Sequence, residues 1–179
     1  MFSQFEKHFK ARPRFGWRFR KKRTPLELFR AKYAGKDFGD GIYRVFGQEE
    51  IEPWRERITE AYPRVEKQFE PFGYDWMGRC FAIDLRTGDH ILLFEIGAGT
   101  VLDIPVDFIT FHNEEIPNEH EACLASELFE EWRSENMATL PHENCIGYEI
   151  PLFLGGQEEL KNLGEVEMED YWNTIGSLL

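Results

Sequence analysis

The densest group of possible metal ligands in the chain is His112, His120 and Cys123, which lie within twelve residues of sequence. Zinc sites take nitrogen and sulfur ligands, commonly in pairs about two to five residues apart. The two histidines are eight residues apart, and Leu124 stands where a zinc-protease helix would carry its second histidine. The pattern favours solvated loop residues. We predict no metal site and no cofactor, and keep a metal-dependent hydrolase built on these histidines and nearby acids as the second alternative function.

The sequence contains no recognised motif for a catalytic nucleophile or for a phosphate-binding loop. The serine motif G-x-S-x-G does not occur, so the chain has no nucleophile elbow. Cys80 and Cys145 fall in apolar segments, where a thiol usually packs as a small, inert side chain. Gly97-Ala98-Gly99 lacks the third glycine of a dinucleotide-binding loop and precedes a β-branched segment, which favours a hairpin turn. These patterns predict a protein that is not an enzyme.

Charge is distributed unevenly along the chain, whose formal net charge is −12. Residues 1–24 contain nine basic side chains and one acidic one, with aromatic residues such as Trp17 between the cations. Such interleaving is typical of proteins that bind single-stranded nucleic acid. We interpret residues 1–23 as a basic aromatic arm, and nucleic-acid association through it is the first alternative function. The rest of the chain is strongly acidic and would repel phosphate, so a nucleic-acid partner is not favoured.

The acidic charge is concentrated in residues 80–179, which contain 21 acidic and three basic side chains. Such a surface accelerates encounter with a basic partner, although solubility alone would also explain it. Candidate contacts lie in an acidic loop and on the outer face of the helix predicted after it. These candidate partner-binding residues are Glu114, Glu115, Glu119, Glu121, Glu127, Glu130 and Glu131.

Hydrophobic periodicity and turn residues predict an α+β fold, with an antiparallel sheet of about four to six strands packed by helices in a single domain. The strands are expected at residues 42–46, 79–85, 90–96, 100–104 and 145–154. The helices are expected at residues 2–10, 48–61, 105–113 (a helical turn), 122–135 and 167–178. One more helix begins at Thr24-Pro25, because threonine caps free amides and proline suits the first helical position. Residues 24–179 form this domain and residues 1–23 precede it.

Composition also bears on location. No apolar run approaches the roughly 18–20 residues of a membrane span, and the N-terminus has no apolar secretory stretch. The three cysteines are an odd number and widely spaced, which favours free thiols in a reducing compartment. We therefore predict a cytoplasmic protein with no membrane partner.

Several blocks of the sequence resemble a bacterial family. They are GDGIYRVFGQEEIEPW at 39–54, FGYDWMGRCFAIDLRTGDHILLFEI at 72–96, FHNEEI at 111–116, ELFEEW at 127–132 and CIGYEIPLFLGGQEELKNLGEVEMEDYW at 145–172. Together they resemble the family of the C-terminal domain of type VI secretion immunity proteins, which is often grouped with the SUKH immunity superfamily. The resemblance covers residues 24–179 and leaves the basic arm outside.

This resemblance implies a bacterial antitoxin, an α+β domain that binds a cognate antibacterial toxin and neutralises it by occlusion. Toxins paired with such domains include nucleases and ADP-ribosyltransferases, and the acidic half predicts a toxin with a basic surface. Six residues match the family pattern and are interpreted physically as core and turn residues. They are Trp76, Gly78, Pro151, Gly155, Gly156 and Trp172.

Overall fold

The computed structural model describes residues 2–8, 23–65, 68–136 and 138–179. Six strands of these residues form one antiparallel sheet in which the spatial order is the sequence order. They are β1 (Asp37–Phe38), β2 (Tyr43–Val45), β3 (Phe69–Asp75), β4 (Cys80–Asp84), β5 (Ile91–Glu95) and β6 (Thr100–Ile104). The predicted fold class, a single α+β domain with an antiparallel sheet and helices, is confirmed.

The central part of this sheet contains a strand that the sequence pattern did not predict. Strands β4, β5 and β6 form the predicted meander, with Cys80 opposite Phe94 and Phe94 opposite Val101. Strand β3 pairs with both β2 and β4, and its register shifts between Pro71 and Gly73. Proline and glycine are uncommon inside strands. In β3, Pro71 and Gly73 interrupt the alternation of apolar and polar residues from which a strand is predicted.

A second antiparallel sheet pairs β7 (Asn144–Tyr148) with β8 (Leu163–Glu167). The strand predicted over residues 145–154 is too long, because the ladder ends at Tyr148 and a short 3-10 helix occupies Leu152–Leu154. Pro151 lies between them and has no N–H to donate to a strand partner. Strand β8 was also missed.

The helices of the described residues surround the six-stranded sheet. They are α1 (Ser3–His8), α2 (Pro25–Tyr33), α3 (Ile51–Ala61), α4 (Phe108–Thr110), α5 (Ile116–Asn118), α6 (His120–Leu124), α7 (Ser126–Glu135) and α8 (Met168–Gly176). A π-helical turn at Phe111–Glu115 joins α4 to α5, and the other 3-10 helices are Gly39–Gly41, Pro63–Val65 and Leu160–Asn162. The predicted cap of α2 is confirmed, since Thr24 and Glu27 each accept the other's backbone N–H.

The helix predicted over residues 122–135 is in fact two helices. Ala125 has φ +49°, in the left-handed region, and this residue ends α6 and precedes α7. A left-handed alanine costs roughly 1–2 kcal/mol, so it persists only where packing on both sides holds it. Leu124 and Phe129 are both buried across the break. The helical spacing of apolar residues therefore continues across Ala125, although the helical backbone is interrupted there.

The six-stranded sheet is the middle layer of three, because side chains on both of its faces are buried. On β4, Phe81 belongs to the core cluster that contains α2 and α4–α7, whereas its neighbours Cys80 and Ala82 belong to the cluster that contains α3 and α8. Strand β5 alternates in the same way, with Leu93 in the first cluster and Phe94 in the second. Burial on both faces explains why these strands are nearly continuously apolar.

The turn between β3 and β4 connects all the layers. The backbone N–H of Trp76 donates to Ile42 O, and its carbonyl accepts from Ile146 N of β7 at 2.8 Å. The buried indole N–H of Trp76 donates to Leu124 O at 2.9 Å. Trp172 of α8 donates its indole N–H to Gly78 O at 2.8 Å. One tight turn thus joins the two sheets, the end of α6 and the last helix.

Helix α1 packs on the domain although its residues belong to the segment interpreted as an arm. Phe2 is buried against Phe29 and Phe108, with ring centroids 5.1 and 6.0 Å away. Glu6 forms an ion pair with Lys32 and accepts from the Tyr33 hydroxyl at 2.6 Å. The interleaved basic and aromatic stretch at 11–22 lies outside the described residues.

Candidate partner-binding surface

Residues 108–135 form an acidic helical layer on one side of the sheet, and the predicted partner-binding glutamates all lie in it. Glu115 is half-buried, and the other six are exposed. On α7, Glu127, Glu130 and Glu131 share one face, because side chains three and four residues apart are neighbours on a helix. The layer therefore presents a row of carboxylates on consecutive helical segments.

Glu121 has a structural role within this layer. Its Oε2 accepts from the backbone N–H of Glu127 at 2.6 Å and from the Ser126 hydroxyl at 3.0 Å. Ala125 precedes α7 and has no side chain that could cap it. Because a carboxylate near a helix N-terminus both satisfies a free amide and complements the helix dipole, Glu121 stabilises the start of α7. The carboxylates on α7, those of Glu127, Glu130 and Glu131, remain exposed to solvent.

His112 is a core residue. It is fully buried, its Nδ1 lies 2.8 Å from Phe108 O, and its Nε2 lies 3.0 Å from the Tyr43 hydroxyl. Burial lowers the pKa of His112 to about 3, so the ring is neutral at physiological pH. Its position beneath the π-helical turn corrects the interpretation of this histidine as a solvated loop residue.

His120 lies at the start of α6 and lines a cavity of about 590 Å³. Its ring is 4.8 Å from that of His8, and burial lowers the pKa of both histidines. Glu130 and Arg133 of α7 line the same cavity. Arg133 donates to Ala138 O at 2.7 Å, so its cation is held at the C-terminal end of α7. The cavity is therefore lined by one predicted contact residue, Glu130, together with His8 and His120.

The cysteines are buried thiols. Burial raises the pKa of Cys123 to about 12 and that of Cys145 further, so neither is a thiolate at neutral pH. A thiol without an ionised form is a poor nucleophile and a poor metal ligand. Among the residues that the structure describes, no group of three or more His, Cys, Asp or Glu side chains is arranged to hold a metal ion. In the same residues, no helix has the length and apolar character to span a membrane.

The loop between β7 and β8 is a second notable surface. The buried side chain of Asn162 accepts from Ile150 N and donates to Ile150 O and Gln157 O, each at 2.9 Å. Gly156 N donates to Pro151 O, and a Cβ on Gly156 would lie 1.8 Å from Ile150 O. The close backbone approach explains the glycine, and these hydrogen bonds fix the loop backbone between its two short 3-10 helices.

This loop nevertheless exposes apolar side chains. Ile150 is 55% exposed and Leu154 is 57% exposed. The sequence pattern assigned both to a strand, and so gave no reason to expect them at the surface. Branched aliphatic residues placed directly before a proline and a glycine pair are the signal that could have identified a displayed turn.

The C-terminal part of the chain is similar to a known family. Residues 108–179 match the family described as T6SS immunity protein Tdi1, C-terminal. The predicted resemblance to type VI secretion immunity proteins is confirmed over these residues. The Tdi1 C-terminal match includes the acidic helical layer, the second sheet and α8. The resembling blocks at 39–54 and 72–96 precede the matched region.

The Tdi1 C-terminal region contains four of the six residues singled out by the family pattern, and all six occupy core or turn positions. Trp76 and Trp172 are buried. Gly78 and Gly155 have φ of +72° and +94°, which glycine adopts without strain. These residues hold the fold, as the sequence predicted.

A solved structure is similar to most of the chain. It is the crystal structure of Atu4351 from Agrobacterium tumefaciens, with a TM-score of 0.57 and 14% sequence identity over 84% of this chain and 73% of that chain. At this identity the similarity shows a shared fold. None of the curated proteins compared matches the chain.

Proposed function

We propose that the protein is an immunity protein of a type VI secretion system that binds a cognate antibacterial toxin in the cytoplasm and occludes it, without catalysing a reaction. The observation that carries this proposal is the match of residues 108–179 to the Tdi1 C-terminal family. An immunity family implies a toxin partner. The matched residues also contain the acidic helical layer, so the family match and the charged surface lie in the same region of the chain.

The toxin's contact surface is expected to be basic. A nuclease or an ADP-ribosyltransferase binds a substrate that carries phosphate, and such sites present Lys and Arg. The carboxylates of the acidic helical layer would occupy the same cations. Opposite charge on the two partners accelerates association and fixes their relative orientation. We therefore assign partner contact to the seven predicted glutamates, with Glu121 also capping α7.

Co-expression tests the function directly. The protein encoded beside this chain is expressed alone and together with it in a bacterial host, and growth and copurification are measured. We expect the neighbouring protein to stop growth alone, and the pair to grow and copurify as a complex. A neighbour that is harmless, or that stays toxic in the presence of this chain, would contradict the proposal.

A matched pair of charge reversals tests the assigned surface. Glu127→Lys with Glu131→Lys changes one face of α7, and Glu56→Lys with Glu60→Lys makes the same charge change at the same spacing on exposed residues of α3. We expect the α7 pair to slow association with the toxin about tenfold and to weaken its salt dependence. Equal effects of the two pairs on the association rate would remove α7 from the interface.

A further inference from the structure

The loop between β7 and β8 displays its apolar side chains from a fixed backbone. Besides the Asn162 contacts, Leu152 N donates to Gly97 O at 2.9 Å, which ties the loop to the β5–β6 turn. The backbone at Ile150 and Leu154 is therefore fixed, although their side chains are exposed. Preorganised apolar side chains lose little conformational entropy when a partner covers them.

The apolar surface extends beyond the loop. A Cβ on Gly99 would lie 2.6 Å from Leu179 Cδ2 and 3.2 Å from Phe153 Cδ1, so those two side chains meet over this glycine. Leu178 and Leu179 are each at least half exposed. We call exposed Ile150, Leu154, Leu178 and Leu179, together with partly buried Phe153, the apolar loop patch. Contiguous exposed apolar side chains rimmed by polar ones are typical of protein interaction sites.

The connection that carries Ile150 and Leu154 is also acidic. Glu149, Glu158 and Glu159 are exposed on the same connection between β7 and β8. The one cation of that connection, Lys161, is paired with Glu159 at 2.6 Å. Two copies of this patch would bring like charges together when they meet face to face, which disfavours self-association. A basic partner would instead gain both apolar burial and charge complementarity.

We propose that the apolar loop patch is the anchor by which the protein docks on its toxin, and that the partner presents an apolar pocket bordered by Lys and Arg side chains. This inference rests on the proposed function. It adds a contact of different chemistry to the acidic helical layer, because charge steers the encounter while buried apolar anchors retain the complex. Ile150 and Leu154 are the central anchors, since they are the most exposed members of the patch.

The experiment compares polar replacements inside and outside the patch. Ile150→Ser with Leu154→Ser removes both anchors, and Leu85→Ser is the control, because Leu85 is 59% exposed at the end of β4 and lies outside the patch. Affinity for the purified toxin is measured by titration calorimetry or surface binding. We expect the double variant to bind about 100-fold more weakly, roughly tenfold for each anchor, and the control to bind as the wild type does.

The outcomes separate the anchor from the immunity function. If the wild type neutralises the toxin and the folded double variant binds it within about threefold of the wild type, the anchor proposal is overturned and the immunity function stands. A wild-type protein that binds no toxin overturns both. If the serine pair lowers the melting temperature, Leu154→Lys tests the same site with its aliphatic stem retained, and a toxin affinity equal to that of the wild type refutes the anchor. Sedimentation of the protein alone tests whether a second copy of the chain covers the patch instead. A dimer that the patch variants abolish, with toxin affinity unchanged, would also overturn the anchor proposal.

Discussion

His142 joins two carboxylates to the segment that leads into the second sheet. Its Nδ1 lies 2.7 Å from Asp37 Oδ1, and its Nε2 lies 3.8 Å from Glu50 Oε2. The carbonyl of His142 accepts from the Tyr74 hydroxyl at 2.8 Å, so the backbone at this point stays anchored when the ring is replaced. The hydrogen bond to Asp37, followed by the Glu50 carboxylate, raises the pKa of His142 to about 9.

A raised pKa stabilises the folded state at the lower pH values. The unfolded chain protonates His142 near pH 6.5, whereas the folded protein does so near 9. The stabilisation is fully present below about pH 6.5 and is lost as the pH rises through about 9. At about 1.36 kcal/mol per pH unit the difference corresponds to about 3 kcal/mol. Because the side chain is 33% exposed, solvent screening reduces this to about 1–2 kcal/mol.

Urea unfolding of the wild type and the His142→Asn variant at pH 6.5, 7.5, 8.5 and 9.5 measures this contribution. We expect the variant to be less stable at pH 6.5 by about 1–2 kcal/mol and the two proteins to converge at pH 9.5. The control is His90→Asn, which removes a half-buried histidine that contacts one carboxylate, that of Asp103, at 3.1 Å. Parallel stability curves for the wild type and the His142 variant across this range would refute the reasoning.

Three further substitutions test the internal architecture by their free energies of unfolding in urea. Trp76→Phe removes the hydrogen bond to Leu124 O and leaves a cavity, and should lower the free energy of unfolding by about 2–4 kcal/mol. A loss below about 0.5 kcal/mol would show that this turn does not hold the layers together. Gly156→Ala places a methyl against Ile150 O and should cost about 1–3 kcal/mol, and unchanged stability would mean that the loop yields easily. Glu121→Ala removes the cap of α7 and should cost about 1 kcal/mol, whereas a neutral result would leave this carboxylate as surface charge alone.

The parts of the fold that local chemistry determines were predictable from the sequence. The capping pair at the start of α2 and the apolar run of β5 each contain their own signal. The failures have tertiary causes. Strand β3 pairs on both sides in spite of Pro71, and α6 ends at a left-handed Ala125 because the packing around it outweighs its own preference. Neither condition can be read from a window of sequence.

The candidate site was predictable in composition and unpredictable in detail. Glu127, Glu130 and Glu131 lie on a helix as predicted, whereas the loop expected around Glu114, Glu115, Glu119 and Glu121 is a series of short helical segments. Which of them is engaged depends on the break at Ala125, since that break creates an uncapped helix start within reach of Glu121. The exposure of Ile150 depends likewise on Asn162, twelve residues later in the chain, whose side chain fixes the loop.

The region that carries the family match does not have an independent core. Ile146 of β7 lies in the same cluster as Phe81 of β4, and Trp172 of α8 packs with Trp54 of α3, at a ring distance of 5.7 Å. The residues before 108 therefore supply the sheet against which the matched region folds. The turn at Trp76 bonds to Leu124 at the end of α6 and to Ile146 of β7. The loop that carries the apolar loop patch is held instead by the side chain of Asn162 and by the bond from Leu152 N to Gly97 O. A core substitution at the Trp76 turn would therefore disturb the end of α6 and β7 together, whereas surface substitutions on the acidic helical layer and on the apolar loop patch would act separately.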